Sequence, residues 1–131
     1  MKILGIGVDI VANSRINRLI KDPLFLKRIF SANEIKSAKN IKNKSLYYAK
    51  RFASKEALSK SLGTGFRNGF NFKDISVIND KLGQPSFLIN KKIKKIVKNQ
   101  FKVSNFNFFL SISDEKKYSI AYVVLQKKWK W

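Results

Sequence analysis

A long helix over residues 45–62, ending at Gly63, constrains this chain more than any other feature of its sequence. Ala49, Ala53 and Ala57 form a stripe of small side chains that admits a closely packed neighbour, and Leu46, Leu58 and Leu62 add bulk. Gly63 is placed to end the helix in a left-handed conformation. On the opposite side Phe52, Glu56, Ser59, Lys60 and Gly63 follow one drifting line, because residues three or four apart are neighbours on a helix. Taken alone, Glu56 and Lys60 need be no more than an exposed i,i+4 ion pair worth roughly 0.3–0.5 kcal/mol.

The N-terminal run KILGIGVDI, residues 2–10, is apolar and β-prone and reads as a buried strand. Gly5 and Gly7 inside it allow another backbone to come close. They do not make a dinucleotide fingerprint, which needs a third glycine and a turn after the strand. Asp9 stands out, since a carboxylate ending an apolar strand is costly unless paired or bound to metal. A helix cap or turn is the competing account of it.

Residues 13–21 read as a short helix with Ile16, Leu19 and Ile20 inward and Arg15 and Arg18 outward. Asp22-Pro23 breaks it, and a further amphipathic turn or two over 24–30 carries Lys27 and Arg28. Ser31-Ala32-Asn33-Glu34 matches a capping box, which gives Glu34 a structural purpose. After a glycine-bearing aromatic loop at 66–70, residues 75–79 and 87–89 form a hairpin about the turn 80–85. Residues 91–100 form a basic amphipathic helix with Ile93, Ile96 and Val97 inward, its lysines making a solvated face. Strands at 106–113 and 118–126 pair across 114–117. The expected fold class is α+β: one domain over residues 1–131, with antiparallel hairpins packed on a long central helix.

Two absences narrow the chemistry. Without cysteine there is no disulfide, thiol nucleophile or thiolate zinc site. Without histidine there is no imidazole base or ligand, so any metal must bind oxygen, which favours Mg²⁺, Mn²⁺ or Ca²⁺. Acid–base work falls to Asp, Glu, Lys or water. The formal charge of +20 implies an anionic partner, although lysine-rich coding bias accounts for part of it. That bias does not explain why residues 35–55 contain no acid but hold Lys36, Lys39, Lys42, Lys44, Lys50, Arg51 and Lys55. No apolar run approaches the roughly 20 residues of a membrane span. A cytoplasmic address is expected.

These residues suggest one site. A carboxylate ending a strand and another on a cation-rich helix could hold a divalent ion, while Arg51, Lys55 and Lys60 neutralise phosphate oxygens. Phosphoryl transfer asks a protein for that combination of positioning and charge stabilisation.

The run Phe52-Ala53-Ser54-Lys55-Glu56-Ala57-Leu58-Ser59-Lys60-Ser61-Leu62-Gly63-Thr64-Gly65 closely resembles the signature of the holo-acyl-carrier-protein synthases, the small 4′-phosphopantetheinyl transferases. Gly5-Ile6-Gly7-Val8-Asp9-Ile10 with Arg15-Ile16 looks like the family's N-terminal motif. Gly83-Gln84-Pro85, and Ser111-Ile112-Ser113 with Tyr118 through Val124, look like its later motifs, so the resemblance spans essentially the whole chain.

The resemblance implies Mg²⁺-dependent transfer of the phosphopantetheine arm of coenzyme A to a serine of an acidic apo-acyl carrier protein. Adenosine 3′,5′-bisphosphate would be released, in the service of fatty acid biosynthesis. It makes Asp9 and Glu56 the metal ligands, Glu56 also an aid to deprotonating the serine, and Lys60 a contact to the reacting phosphates. It assigns Arg51, Lys55, Ser59, Lys60, Gly63, Thr64, Gly65, Gln84, Pro85 and Ser113 to the coenzyme A cleft, and Arg15 and Arg28 to carrier-protein contact. A homotrimer with shared clefts is implied as well. One departure is Asp114, which stands where the family usually has histidine; it is left out of the catalytic set. The rival reading is a basic RNA- or DNA-binding module without catalysis, suggested by the charge and by Phe66, Phe70 and Phe72, but no nucleic-acid motif supports it.

Overall fold

In the computed structural model, which describes residues 2–63 and 71–129, the long helix is α4 (Lys44–Leu62). Asn43 caps its start by accepting from the Leu46 N–H, and Gly63 ends it at φ 78°. Against it lies an antiparallel sheet in the order β1-β5-β4, built from β1 (Lys2–Ala12), β5 (Tyr118–Lys127) and β4 (Phe106–Asp114). The α+β class expected from the sequence is thus realised as a sheet packed on one helix.

Register decides which residues meet that helix. Gly5, Gly7, Asp9 and Val11 of β1 pair with Leu125, Val123, Ala121 and Ser119 of β5, all on one face of the sheet. Val11, Ala121, Val123 and Leu125 are buried there against Ala49, Ala53, Ala57, Leu58 and Leu62. The two glycines are what let the backbones touch. A β-carbon on Gly5 would lie 1.9 Å from the Ser61 carbonyl oxygen, and one on Gly7 would lie 1.9 Å from that of Ala57. Strand and helix therefore run in opposite directions at closest approach, which carries Asp9 toward the middle of α4.

The other face of the sheet is apolar and uncovered in the single chain. Ile6, Val8, Ile10, Phe109, Ile120 and Tyr122 are all exposed on it.

The remaining elements close the other side of the core. They are α1 (Asn13–Leu19), α2 (Pro23–Ile29), α3 (Ala32–Ala38), a 3-10 turn at Phe72–Asp74, and the hairpin β2 (Ser76–Asn79) with β3 (Pro85–Leu88). The basic helix α5 (Lys91–Phe101) buries Ile93 and Val97. The capping box on α3 is complete, with Ser31 Oγ accepting from the Glu34 N–H and Glu34 Oε1 from the Ser31 N–H. The loop expected at 66–70 lies outside the described residues, as do Thr64 and Gly65.

Candidate active site

Asp9 does not cap a helix. It sits within β1, its side chain only 16% exposed, and faces α4. Lys60, on the last turn of that helix, reaches round the free edge of β1. Its ammonium donates to the Val8 carbonyl at 3.0 Å and to Asp9 Oδ1 at 3.2 Å. Lys60 thus pairs with the strand carboxylate rather than with Glu56, its neighbour one helical turn away. Glu56 is half-buried on the same side. Burial first, and then the negative charge of Asp9, hold its carboxyl above the usual glutamate range, while Lys60 and Arg15 oppose the shift. Two carboxylates separated by 47 positions in sequence, and two cations, therefore act on one another electrostatically.

Such a donor set suits a hard cation. Among the described residues no group of three or more Asp or Glu side chains could form a protein cage for a metal. Two oxygen ligands suffice for Mg²⁺, which keeps several waters and takes its remaining ligands from substrate phosphates. Asp9 and Glu56 are the residues that could hold it.

A second grouping lies further along α4. The Arg51 guanidinium lies 3.7 Å from the centroid of the Tyr47 ring and donates to Asn79 Oδ1 at 2.8 Å. Asn79 pairs with Pro85 across the hairpin, so Arg51 and Pro85 belong to one neighbourhood, with Gln84 exposed in the adjoining turn. Sequence reasoning missed Tyr47 and Asn79, although Tyr47 stands four residues before Arg51 on the same helix. Ser113 is exposed on β4 opposite Ile120, and Arg15 and Arg28 are exposed on α1 and α2.

Two cleft residues require correction. Lys55 is fully buried and faces away from Asp9. Its ammonium pairs with Glu34 at 2.6 Å and donates to the carbonyls of Phe72 and Ile75. Burial pulls its pKa below the usual lysine value, with Glu34 opposing. It holds α3, α4 and the start of β2 together instead of reaching a phosphate. Ser59 is also buried, at 5% exposure, and presents almost no surface to a ligand. Glu34 has further partners of its own, accepting from the Val77 N–H at 3.0 Å. Its capping box gave the sequence signal, but nothing in the sequence said which cation would meet it.

A family model described as the 4′-phosphopantetheinyl transferase superfamily matches residues 5–123, and the chain belongs to that superfamily as an enzyme of the holo-[acyl-carrier-protein] synthase type. The holo-[acyl-carrier-protein] synthase of Pelagibacter ubique is 69% identical over 128 residues, covering 98% of this chain and 100% of its own. The crystal structure of the Neisseria meningitidis synthase superposes with a TM-score of 0.86 at 38% identity, covering 96% of this chain and 100% of its own. A synthase from Bacillus anthracis, solved in complex with CoA (3′,5′-ADP), gives 0.80 at 35% identity over 96% of this chain and 98% of its own.

Proposed function

We propose that this chain, as a single catalytic domain over residues 1–131, transfers the 4′-phosphopantetheine group of coenzyme A to a serine of an acidic apo-acyl carrier protein for fatty acid biosynthesis. The observation that carries the reading is the meeting of Asp9, Glu56 and Lys60, with Arg15 close enough to act on Glu56. The serine oxygen attacks the phosphorus that bears the pantetheine arm, and the bond from that phosphorus to the bridging oxygen breaks. Adenosine 3′,5′-bisphosphate leaves with the electron pair. Glu56 is the carboxylate placed to help take up the proton lost by the serine. Lys60 lies at an exposed strand edge, where its ammonium can turn from Asp9 to the leaving phosphate. Mg²⁺ held by Asp9 and Glu56 would neutralise the pyrophosphate and relieve the repulsion between the two acids. Arg51, Gly63, Thr64, Gly65, Gln84, Pro85 and Ser113 remain the proposed coenzyme A contacts, and Arg15 and Arg28 the carrier-protein contacts.

The uncovered apolar face of β1, β5 and β4 supports assembly, since contiguous exposed apolar residues mark an interface, and the family resemblance makes the proposed assembly a homotrimer. The address proposed is the cytoplasm; no helix among the described residues is long and apolar enough to cross a membrane. Mass spectrometry of an apo carrier protein incubated with the enzyme, coenzyme A and Mg²⁺ tests the reaction. The expected result is a gain of one phosphopantetheine group, lost on chelation of the metal. An unmodified carrier protein, with tight salt-sensitive RNA binding instead, would return the case to the nucleic-acid rival.

A further inference from the structure

A cavity of about 620 Å³ opens at the far end of the sheet, lined by Lys2, Lys102, Lys127, Lys128, Ser104 and Trp129 among others. That volume is typical of small-molecule sites. Lys2 and Asp9 stand seven residues apart on β1, so the cavity lies about 23 Å from the candidate active site at the usual strand rise.

Its charge is one-sided. None of the chain's eight acidic residues lines it, and no ion pair between described residues engages its four lysines. The register places Lys2 directly opposite Lys127, where like charges repel. The walls are fixed by the backbone. Lys102 ends α5 at φ 57°, its N–H donating to the Lys98 carbonyl at 3.0 Å. Asn105 accepts from the Lys128 N–H at 2.9 Å and donates from its side chain to the Trp129 carbonyl at 3.4 Å. Those bonds hold the Trp129 backbone against the loop that follows α5, while its indole stays 69% exposed.

We propose that this cavity is a second anion site that takes a nucleoside polyphosphate. An indole offers a flat face to a base of any identity, and clustered ammonium groups meet phosphate oxygens, so the two together fit a charged ligand with a planar aromatic end. Binding an anion also relieves the lysine–lysine repulsion. The transferase reaction uses none of these residues.

The chain has two tryptophans, so Trp131→Phe leaves Trp129 as the sole tryptophan, read apart from the four tyrosines by exciting at the red edge of the indole band. Titrating that protein with ATP should give a saturable quench at submillimolar concentration, moving to higher ATP as salt rises. Adding Lys102→Asn and Lys128→Gln should weaken it about tenfold or more, with carrier-protein modification at saturating coenzyme A unchanged. Asn is chosen because it tolerates the positive φ at 102. Should that variant lose its melting transition, Lys2→Gln at the exposed strand start makes the same comparison. Absence of a saturable quench overturns the proposal, and so does a quench indifferent to the lysine changes. Displacement of the quench by coenzyme A at its catalytic KM would place the ligand in the transferase cleft and overturn it too. Tighter binding of an RNA oligonucleotide than of ATP would refute a small-molecule site.

Discussion

Gly7→Ala is the substitution that most directly tests whether backbone contact between β1 and α4 sets the catalytic geometry. The new β-carbon would fall 1.9 Å from the Ala57 carbonyl oxygen, 2.8 Å from the Ser61 nitrogen and 2.9 Å from the Ala57 carbonyl carbon. All three are backbone atoms of one helix, so no side chain can swing aside. Restoring an ordinary contact of about 3.4 Å requires strand and helix to part by about 1.5 Å. Asp9 follows Gly7 by two residues on the same face, so it would be carried about 1.5 Å from the helix backbone that holds Glu56. Overpacking of this kind costs about 1–3 kcal/mol, and misplacing a reacting group by about 1 Å costs on the order of a hundredfold in rate. Urea denaturation gives the first quantity and single-turnover modification of carrier protein the second. Val123→Ala is the control, because it opens a cavity under the same sheet at about 2–3 kcal/mol without a clash between backbones. The expected result is similar destabilisation in both variants, with the hundredfold loss of rate confined to Gly7→Ala. Native turnover in Gly7→Ala, or an equal loss in both, refutes the reasoning.

Glu56→Gln should lower turnover by about a hundredfold or more, yet raise the melting temperature of the metal-free protein at pH 7. The sign follows from the raised pKa: as pH climbs from the unfolded to the folded value, the unfolded chain ionises first, and ionised Glu56 then opposes folding. A melting point that falls, or does not change, contradicts it. Because the same carboxylate must be ionised to hold a metal, Mg²⁺ affinity of the parent protein should weaken on acidification from neutral pH, with proton release on binding; an affinity indifferent to pH removes Glu56 as a ligand. Lys55→Met leaves the Glu34 charge buried without its cation and should cost about 3–5 kcal/mol in chemical denaturation; adding Glu34→Gln should restore part of it, and a silent Lys55→Met would mean the pair is not formed. Val8→Glu on the uncovered sheet face should shift the light-scattering mass from trimer to monomer; a parent that is itself monomeric refutes the assembly.

The elements were legible because their signals were local. Apolar, β-prone runs marked β1 and β5, a glycine placed for a left-handed conformation marked the end of α4, and Ser31 with Glu34 announced the start of α3. Glu56, which alone read as half of an exposed ion pair, entered the candidate site only through the cation-rich helix around it and the family signature. Asp9 drew attention for a different reason, as a carboxylate whose charge is expensive at the end of an apolar strand. Lys55 was misread because the same argument was not carried to Glu34. The capping box accounted for one carboxylate oxygen, but a glutamate that is 2% exposed still needs a counter-charge. Seven cations between residues 35 and 55 were available to supply it, and only three-dimensional placement selects among them. Asn79 escaped notice because its contact joins Arg51 to a hairpin 28 residues on; Tyr47, one turn before Arg51 on the same helix, carried the i,i+4 spacing as its signal.

Placement on α4 also explains why a lysine and a glutamate stand side by side in this helix. Successive residues of a helix turn by about 100°, so neighbours cannot share a face. Phe52 and Lys55, three apart, both point to the interior, where Phe52 packs against Phe25 and Phe72 and Lys55 binds the carbonyls of Phe72 and Ile75. Glu56, one step on, is thereby turned toward β1, and Lys60, four further, emerges at the strand's free edge. The buried ion pair fixes the rotation of the helix about its axis, and the glycine contacts fix its distance from the strand. Rotation and distance together determine where the Glu56 carboxylate lies relative to Asp9. The buried parts of α4 thus set the geometry of the parts proposed to meet substrate.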